Sequence, residues 1–493
     1  MRALEASAPG ASLFVGAGDL IGASPLISGI FHDESTIEAL DAMGMDYAGV
    51  GNQEFDEGAA ELIRMQYGGC HPEDGCVFED AFSGADFRYL AANVRLENRS
   101  QTLLPPYMIK HVGGIPVAFI GLTLEDTPSI VTAAGVAGLE FDDEADTVNR
   151  FVRELSDERR IETFVILLHE GGQQNPPYAA GFPDPSGCEN LSGPITGIVD
   201  RLDQKVDVVL TAHTHQPYVC KLGGKVVTSA SSFGRLVTRV DMTLSGTSRD
   251  VSAISAANEL VTRTVTPDPV VASIVDKART KSAPLANRVV GRIATNINRQ
   301  ASPSGESPLG NLIADAQLEA TDDPGTGNAV IAFMNPGGVR ADLTYASSSA
   351  GEGDGVVTYG ELFAVQPFAN ELVTKTMTGA QIDAVLEQQR GPSSLMLQVS
   401  DSLRYTWSAS APAGQRVDPS SILINGTPID PAASYRVTMN AFLAGGGDGF
   451  TVFRDGTNPL VGVIDLDALE AYFASFGTTP VVAPATNRIA IAP

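Results

Sequence analysis

The 493-residue sequence has no window approaching the run of about 18 apolar residues that could span a bilayer, so the chain reads as soluble. Its first residues, MRALEASAPGASLFVGAGDL, lack the positive, apolar and small-residue order of a secretory signal. They read instead as the end of a helix followed by a strand, so a leader and a first strand are expected to precede Met1. Basic residues are scarce: 32 lysines and arginines face 59 aspartates and glutamates, a net charge of −27. That balance argues against sequence-independent binding to nucleic acid, because a polyphosphate would meet mostly carboxylates. It leaves small phosphates open, since a metal or a few arginines reverse the field locally. Cysteine is rare too. Four cysteines allow two disulfides, and no Cys-x-x-Cys or Cys/His spacing suggests a structural zinc site. Cys70 and Cys76 flank the turn-rich HPEDG and are expected to pair, whereas Cys188 and Cys220 are distant in sequence.

The length exceeds one ordinary core and implies two domains. In the first half, SLFVGAGD, FRYLAANV, VAFIGLT, TFVILLHE and VDVVLTAHTH are short apolar runs, the pattern of strands covered on both faces. Several end in Asp, Asn or His, which places polar side chains at the carboxyl ends of strands, where ligands of α/β sheets gather. The pattern changes over residues 251–287, where a helix is expected after Pro269. From residue 288 a second set follows, with strands in AVIAFMNPG, ELVTKTMTG and SYRVTMN and helices in GNLIADAQLEA and GAQIDAVLEQQ. ASSSAGEGDG reads as an exposed loop. The expected organisation is residues 1–250, a connector at 251–287 and residues 288–493.

The chain has six histidines. Three of them, His169 in LLHEGG and His213 and His215 in AHTH, sit at the ends of apolar strands beside glycines. Together with Asp19 in GAGDLIGASP they are ligand types for zinc, manganese, iron or cobalt. Asn52 and Asn93 occupy comparable strand ends. His213 and His215 are two apart, so on an extended backbone their rings share one side. Any one of these residues has an ordinary structural explanation, a cap for Asp19 or a turn for Asn52; the combination is what points to metal. His32, His71 and His111 lack this context and read as surface or loop residues.

GDLIGASP, GNQEFDEG, LLHEGG and AHTH resemble, in order, the conserved blocks of the calcineurin-like metallophosphatases. ESPLGNLIADA, NPGGVRADL, VQPFANELV and FLAGGGDGF resemble the partner domain of the 5'-nucleotidases. The resemblance runs from about residue 11 to the end. It implies a four-layer α/β/β/α sandwich, a helical connector and an α/β nucleotide-recognition domain.

It also implies roles. Two divalent ions bind in that family, with Asp19 bridging, Asn52, His169 and His213 completing one site, and His215 belonging to the other. The second site ordinarily draws on an Asp-x-His motif, and none stands upstream of Asp19 here. Where the family has a histidine oriented by an aspartate that matches Asp56, this chain has Gln53, which donates a hydrogen bond but cannot protonate a leaving group near neutral pH. Phe368 and Phe442 match the aromatics that sandwich a base, Asp448 a carboxylate on the ribose, and Arg340 a guanidinium for phosphate or carboxylate. Asn311, Asn335 and Gly338 are expected to assist, and Arg299 and Gly305 lie nearest to a second family arginine. Interdomain rotation is expected to gate the site. The implied activity is metal-dependent hydrolysis of nucleoside 5'-monophosphates or related nucleotides, slowed by Gln53, in a secreted or cell-surface protein of bacterial type. Two alternatives stay open: a nucleotide-binding homologue without catalysis, and a phosphoesterase for 2',3'-cyclic nucleotides or nucleotide sugars.

Overall fold

The computed structural model describes residues 1–8, 12–178, 183–348, 351–391 and 395–492. It forms two compact units. The first comprises Met1–Gly22 and Phe31–Lys277, the second Ala23–Ile30 and Ala278–Pro493. The helix Pro269–Ala286, expected after Pro269, carries the division.

In the first unit the apolar runs become strands buried on both faces. The strand Thr163–His169 alternates. Phe164, Ile166 and Leu168 join the core built with the helices Glu144–Arg159 and Pro194–Arg201, whereas Val165 and Leu167 face a second core with Tyr47, Leu90 and Phe119. A strand without a polar face needs cover on both sides. Here one side is helical and the other is a second sheet.

The larger sheet has six strands in the order Pro217–Leu222, Lys225–Ala230, Val206–Thr211, Thr163–His169, Ile115–Thr123, Tyr107–Val112. Its four inner strands run parallel and its two edges antiparallel. The smaller sheet is three parallel strands, Val15–Ala17, Tyr47–Gly49 and Arg88–Leu90. Its far face packs Ala48, Val50 and Tyr89 against Ile37, Leu62 and Met65 of the helices Glu34–Met43 and Ala59–Tyr67. The layers are helix, sheet, sheet and helix, the four-layer α/β/β/α sandwich that the motifs imply.

Residues 251–260, assigned from sequence to the connector, form a strand paired antiparallel with Leu236–Leu244. Its burial alternates without the continuous apolar signal of the inner strands, so the sequence pattern alone reads as connector. Both disulfides are present. Cys70–Cys76 closes the HPEDG turn, and Cys188–Cys220 ties the loop after residue 183 to the edge strand, reinforced by Val219 N–H donating to Gly187 O at 3.0 Å. The second pairing joins cysteines 32 residues apart.

The second unit centres on a five-stranded sheet ordered Gln398–Val399, Ile331–Met334, Ser434–Asn440, Glu371–Thr378, Thr457–Ile464. The helices Pro308–Thr321 and Asp465–Ser475 pack together in one of its two cores, through Leu309, Leu312, Ile313, Leu466, Leu469 and Phe473. Buried Arg488 fastens the chain end: its guanidinium donates to both Asp315 carboxylate oxygens, at 2.9 and 2.6 Å, and to the carbonyls of Asn311 and Val399. Fully paired, such a buried cation is tolerated; removing its partner would leave an uncompensated charge.

The Cys188–Cys220 loop sets a measurable stability. Replacing both cysteines by serine should lower the unfolding free energy by about 3 to 4 kcal/mol on the loop-entropy estimate, read as a lower denaturant midpoint. An unchanged midpoint would show that the link carries no stability.

Candidate metal centre

Four parallel strands deliver the polar cluster. Asp19 follows Val15–Ala17, Asn52 follows Tyr47–Gly49, His169 ends Thr163–His169, and His213 follows Val206–Thr211. Side chains at the carboxyl ends of parallel strands converge because the sheets they leave are stacked. Asp19, His213 and His215 all take left-handed backbone, with φ of 54°, 66° and 58°. Such conformations cost energy in non-glycine residues and concentrate at functional sites.

Close approach of the loops depends on two glycines. A Cβ on Gly18 would stand 2.5 Å from Gly51 N and 2.7 Å from His169 Nδ1. One on Gly51 would stand 2.2 Å from Asp19 Oδ1. Neither position has room for any side chain.

The ligand atoms of Asp19, His169 and His213 lie within 4.8 Å of one another. His169 is almost fully buried, and its Nδ1 lies 2.7 Å from the Ala17 carbonyl. A carbonyl only accepts, so Nδ1 carries a proton, and Nε2 presents a lone pair whenever the ring is neutral. That Nε2 is 3.0 Å from Asp19 Oδ2 yet makes no hydrogen bond. A lone pair and a carboxylate oxygen facing each other at that distance repel unless a proton or a metal cation is shared between them. Asn52 Oδ1 lies 3.0 Å from His213 Nδ1, adding an amide oxygen to the set. Two imidazoles, a carboxylate and an amide oxygen suit a borderline divalent ion, so the residues present fit the group. The charges agree: burial would raise the Asp19 carboxyl, but the adjacent imidazole of His169 and the Gln53 N–H hold it below its ordinary value. Burial lowers His169, and Asp19 overrides it in the upward direction, so a proton holds the place that a metal ion would take.

The residue that gathers these loops is Glu54, to which no role was assigned from sequence. Its buried carboxylate accepts N–H bonds from Asp19 at 2.8 Å, Leu20 at 2.7 Å and Gly51. Burial and the Asp19 charge push it up to about 7, against the pull of His169 and the backbone N–H groups. An acidic residue inside a glycine-flanked loop, VGNQEFDEG, was the available signal. Gln53 begins a short 3-10 turn, and its N–H donates to Asp19 Oδ1 at 2.9 Å. Asp56 closes that turn through its N–H to Gln53 O at 3.0 Å. Its carboxylate would be 3.0 Å from a Cβ on Gly22, as would the Gln53 Cβ at 2.8 Å, which places both side chains along the same loop.

His215 falls outside the cluster of Asp19, His169 and His213, and its ring lies edge-on to the exposed Phe233 at 5.6 Å. Asn93 is structural. Fully buried, it donates to the carbonyls of Thr123 and Asp142 and accepts from Thr123 N.

In the second unit, Asn335 donates to Asp448 Oδ2 at 3.2 Å and accepts from Asn440 Nδ2 at 3.0 Å. Burial raises the Asp448 carboxyl, opposed by Asn335 and by the Arg390 guanidinium, which also donates to the Asp448 carbonyl. Asn440 and Arg390 were not identified from sequence. The Arg340 guanidinium lies 5.6 Å from the Phe368 ring centre, and Gly447 sits so close to the Phe442 ring that a Cβ would stand 2.4 Å from it. Gly338 is buried against Met334, whose terminal carbon a Cβ would meet at 2.4 Å. Asn311 is fully buried, its amide nitrogen donating to Glu306 at 3.0 Å and Ala485 O at 3.2 Å, so the structure places it inside the fold. Arg299 and Gly305 line a pocket of about 360 Å³ with Ser307, Asp342 and Gln398.

Residues 289–455 match the model of the 5'-nucleotidase C-terminal domain. Endonuclease YhcR of Bacillus subtilis is 31% identical over 484 residues, covering 98% of this chain and 37% of that protein. Cell wall protein Lmo0130 of Listeria monocytogenes is 32% identical over 474 residues, covering 92% of this chain and 58% of that protein. The chain therefore spans between about a third and a little over half of these relatives. The crystal structure of a 5'-nucleotidase precursor from Thermus thermophilus superposes with a TM-score of 0.75 at 26% identity, covering 99% of this chain and 92% of the other.

Glu54 acts on the site through the loops it ties together. Glu54→Gln should weaken Zn²⁺ affinity about 10- to 100-fold, the usual effect of losing an orienting group behind metal ligands, measured by competition with a chromophoric chelator. Affinity within a factor of two of the parent would refute the positioning role.

Proposed function

We propose that the chain, whose residues 289–455 match the 5'-nucleotidase C-terminal domain and which superposes on a 5'-nucleotidase precursor, joins a calcineurin-like metallophosphatase unit to that domain and hydrolyses nucleoside 5'-monophosphates or related nucleotides to nucleoside and phosphate. One observation carries the reading: the ligand atoms of Asp19, His169 and His213 converge within 4.8 Å, with Asn52 Oδ1 3.0 Å from His213 Nδ1. Asp19, Asn52, His169 and His213 would hold one ion and His215 would contribute to a second. A bound zinc-class ion polarises a phosphoryl oxygen and lowers the pKa of a bound water.

The protein's own groups do the rest. Ala17 O fixes the His169 ring, and Glu54 fixes the loops carrying Asp19 and Asn52. Gln53 donates an amide hydrogen bond to a phosphoryl oxygen and leaves the departing alkoxide to take its proton from water. Asp56 stabilises the turn that presents Gln53. In the second unit Phe368 and Phe442 stack on the base, and Arg340 holds an anionic group with its planar fork. Asp448, oriented by Asn335, accepts from the ribose hydroxyls, and Gly338 gives the backbone access. We assign the first unit, with its strand Val251–Leu260, to the chemistry, the helix Pro269–Ala286 to the connector and residues 288–493 to nucleoside recognition. Two disulfides and the similarity to a protein named for the cell wall support a secreted or cell-surface location. Among the described residues, no helix is long and apolar enough to cross a membrane.

The specific observation favouring a binder over an enzyme is Gln53, so the test compares both. With Mn²⁺ or Zn²⁺, the chain should release phosphate from AMP above background, and Gln53→His should raise kcat by about 10²- to 10⁴-fold, the share of a general acid. Nucleotide bound with release at the background rate would replace the enzyme with a binder. Parallel reactions with 2',3'-cyclic AMP and a nucleotide sugar rank the substrate classes.

Phe442→Ala tests nucleoside recognition separately. It should raise KM for AMP by about 5- to 150-fold, equivalent to 1–3 kcal/mol of stacking, while hydrolysis of p-nitrophenyl phosphate stays unchanged. An equal loss on both substrates would assign Phe442 to folding.

A further inference from the structure

The loop that carries Gln53 and Asp56 is gripped at its far end, at Glu57, by His32. This histidine lies between two carboxylates: Glu57 Oε2 is 3.0 Å from its Nδ1 and Asp74 Oδ2 is 2.9 Å from its Nε2. An ionised carboxylate only accepts, so both ring nitrogens donate and the ring is an imidazolium. The His71 ring stacks on it, with centres 3.8 Å apart and planes 11° from parallel. Asp74 N–H donates to His71 Nδ1 at 3.2 Å, so that nitrogen keeps its lone pair and the cation lies against a neutral ring.

We propose that His32, gripped by Glu57 on one nitrogen and Asp74 on the other, is a positioning residue that fixes the loop from which Gln53 acts, a role that rests on the hydrolysis already proposed. His32 and Asp33 are consecutive non-glycine residues in left-handed backbone, with φ of 49° and 58°. Such conformations persist only where the surroundings over-determine them, and here each residue holds a different loop. Asp33 Oδ2 accepts from Gly22 N at 2.9 Å, on the loop that follows Asp19. His32 takes Glu57, one residue beyond Asp56. Between the two grips the loops are in contact: a Cβ on Gly22 would stand 2.4 Å from Gln53 O, 2.8 Å from Gln53 Cβ and 3.0 Å from Asp56 Oδ2. The pair therefore clamps the Gly22 backbone against the residues that present Gln53.

The other side of the grip is rigid. The Cys70–Cys76 disulfide and reciprocal backbone bonds between His71 and Gly75, at 3.1 and 3.0 Å, fix the loop that carries both His71 and Asp74. His32 is tied to that fixed loop through Nε2 and ties the Gln53 loop through Nδ1. Without its charge, Glu57 and Asp74 would flank an uncharged ring that can donate to only one of them.

The grip depends on pH. The groups around the ring are Glu57, Asp74, His71 and Glu61, the last bonded to Arg64 at 2.6 and 2.8 Å. The hydrogen bond to Glu57 raises the His32 pKa most. Burial opposes it, and the Glu57 charge, the Asp74 hydrogen bond and the Glu61 charge bring it up to about 9 from an ordinary 6.5. A group raised on folding contributes fully below its unfolded value and loses its contribution as pH rises through the folded one. The stabilisation from His32 is therefore complete below pH 6.5, and in the folded protein the ring stays charged until about pH 9.

The test uses the full chain with Mn²⁺ and AMP. His32→Gln should lower kcat by about 10- to 100-fold near neutral pH, the scale of losing an outer orienting group, with KM unchanged. The ratio of parent to variant kcat should then fall toward one as pH rises through about 9, where the parent ring loses its charge. An unchanged kcat, or a ratio that does not vary with pH, would overturn the positioning role. Glu57→Gln should show the same loss and add nothing to His32→Gln, because the two act as one unit; additive losses would overturn the role equally. Two readouts need no turnover. Long-range proton–nitrogen spectra of the parent should show both His32 ring nitrogens protonated near neutral pH. The Asp56 amide, bonded to Gln53 O, should exchange about 10-fold faster in His32→Gln. A neutral His32 ring or an unchanged Asp56 exchange rate would sink the proposal. If the parent releases no phosphate, the hydrolysis fails by itself, and these two readouts still decide whether His32 fixes the loop.

Discussion

The candidate metal centre rests on one buried carboxylate. Glu54 takes N–H bonds from Asp19, Leu20 and Gly51, and so binds the loop after one strand of the small sheet to the loop after its neighbour. Without it those loops would carry orphaned buried donors, and each such group costs about 1–3 kcal/mol. The positions of both candidate ligands from the small sheet, Asp19 on one loop and Asn52 on the other, depend on this tie. The large sheet then brings His169 and His213 to the same place.

Strain and absence of side chains make that closeness possible. Asp19, His213 and His215 hold left-handed backbone, and Gly18 and Gly51 leave no space for a Cβ between the two loops and the His169 ring. These are local costs of the kind the surrounding packing must outweigh. The buried alternation of strand 163–169 between two cores supplies that packing directly beneath the site. The same logic holds around Asp448 in the second unit, whose left-handed backbone, with φ of 56°, is supported by Asn335, Asn440 and Arg390.

Much of this was legible from residue order, and the exceptions have causes. Continuous apolar runs announced strands covered on both faces, and the polar residues ending them announced a site, because both signals are local. Strand 251–260 was missed because an exposed antiparallel ribbon needs no apolar run. The Cys188–Cys220 pairing was out of reach because 32 residues separate its ends. Asn311 was grouped with the recognition residues by its motif, whereas its burial and its bonds to Glu306 and Ala485 emerge only from packing. His32 and His71 read as surface or loop histidines because neither ends an apolar strand. Their stacking depends on a left-handed turn and a disulfide loop that no periodicity encodes.

The sequence by itself determined the kind of layers, the ligand types and their order along the chain, because burial pattern and side-chain chemistry are properties of short segments. It also determined that position 53 cannot titrate, since an amide has no proton to give near neutral pH. Tertiary structure alone decided which of those ligands meet. Asp19 and His169 are 150 residues apart, and they face each other because two sheets stack and Glu54 cross-links the loops above one of them. It likewise decided that Asn93, a polar residue in a suggestive place, faces inward and holds the frame.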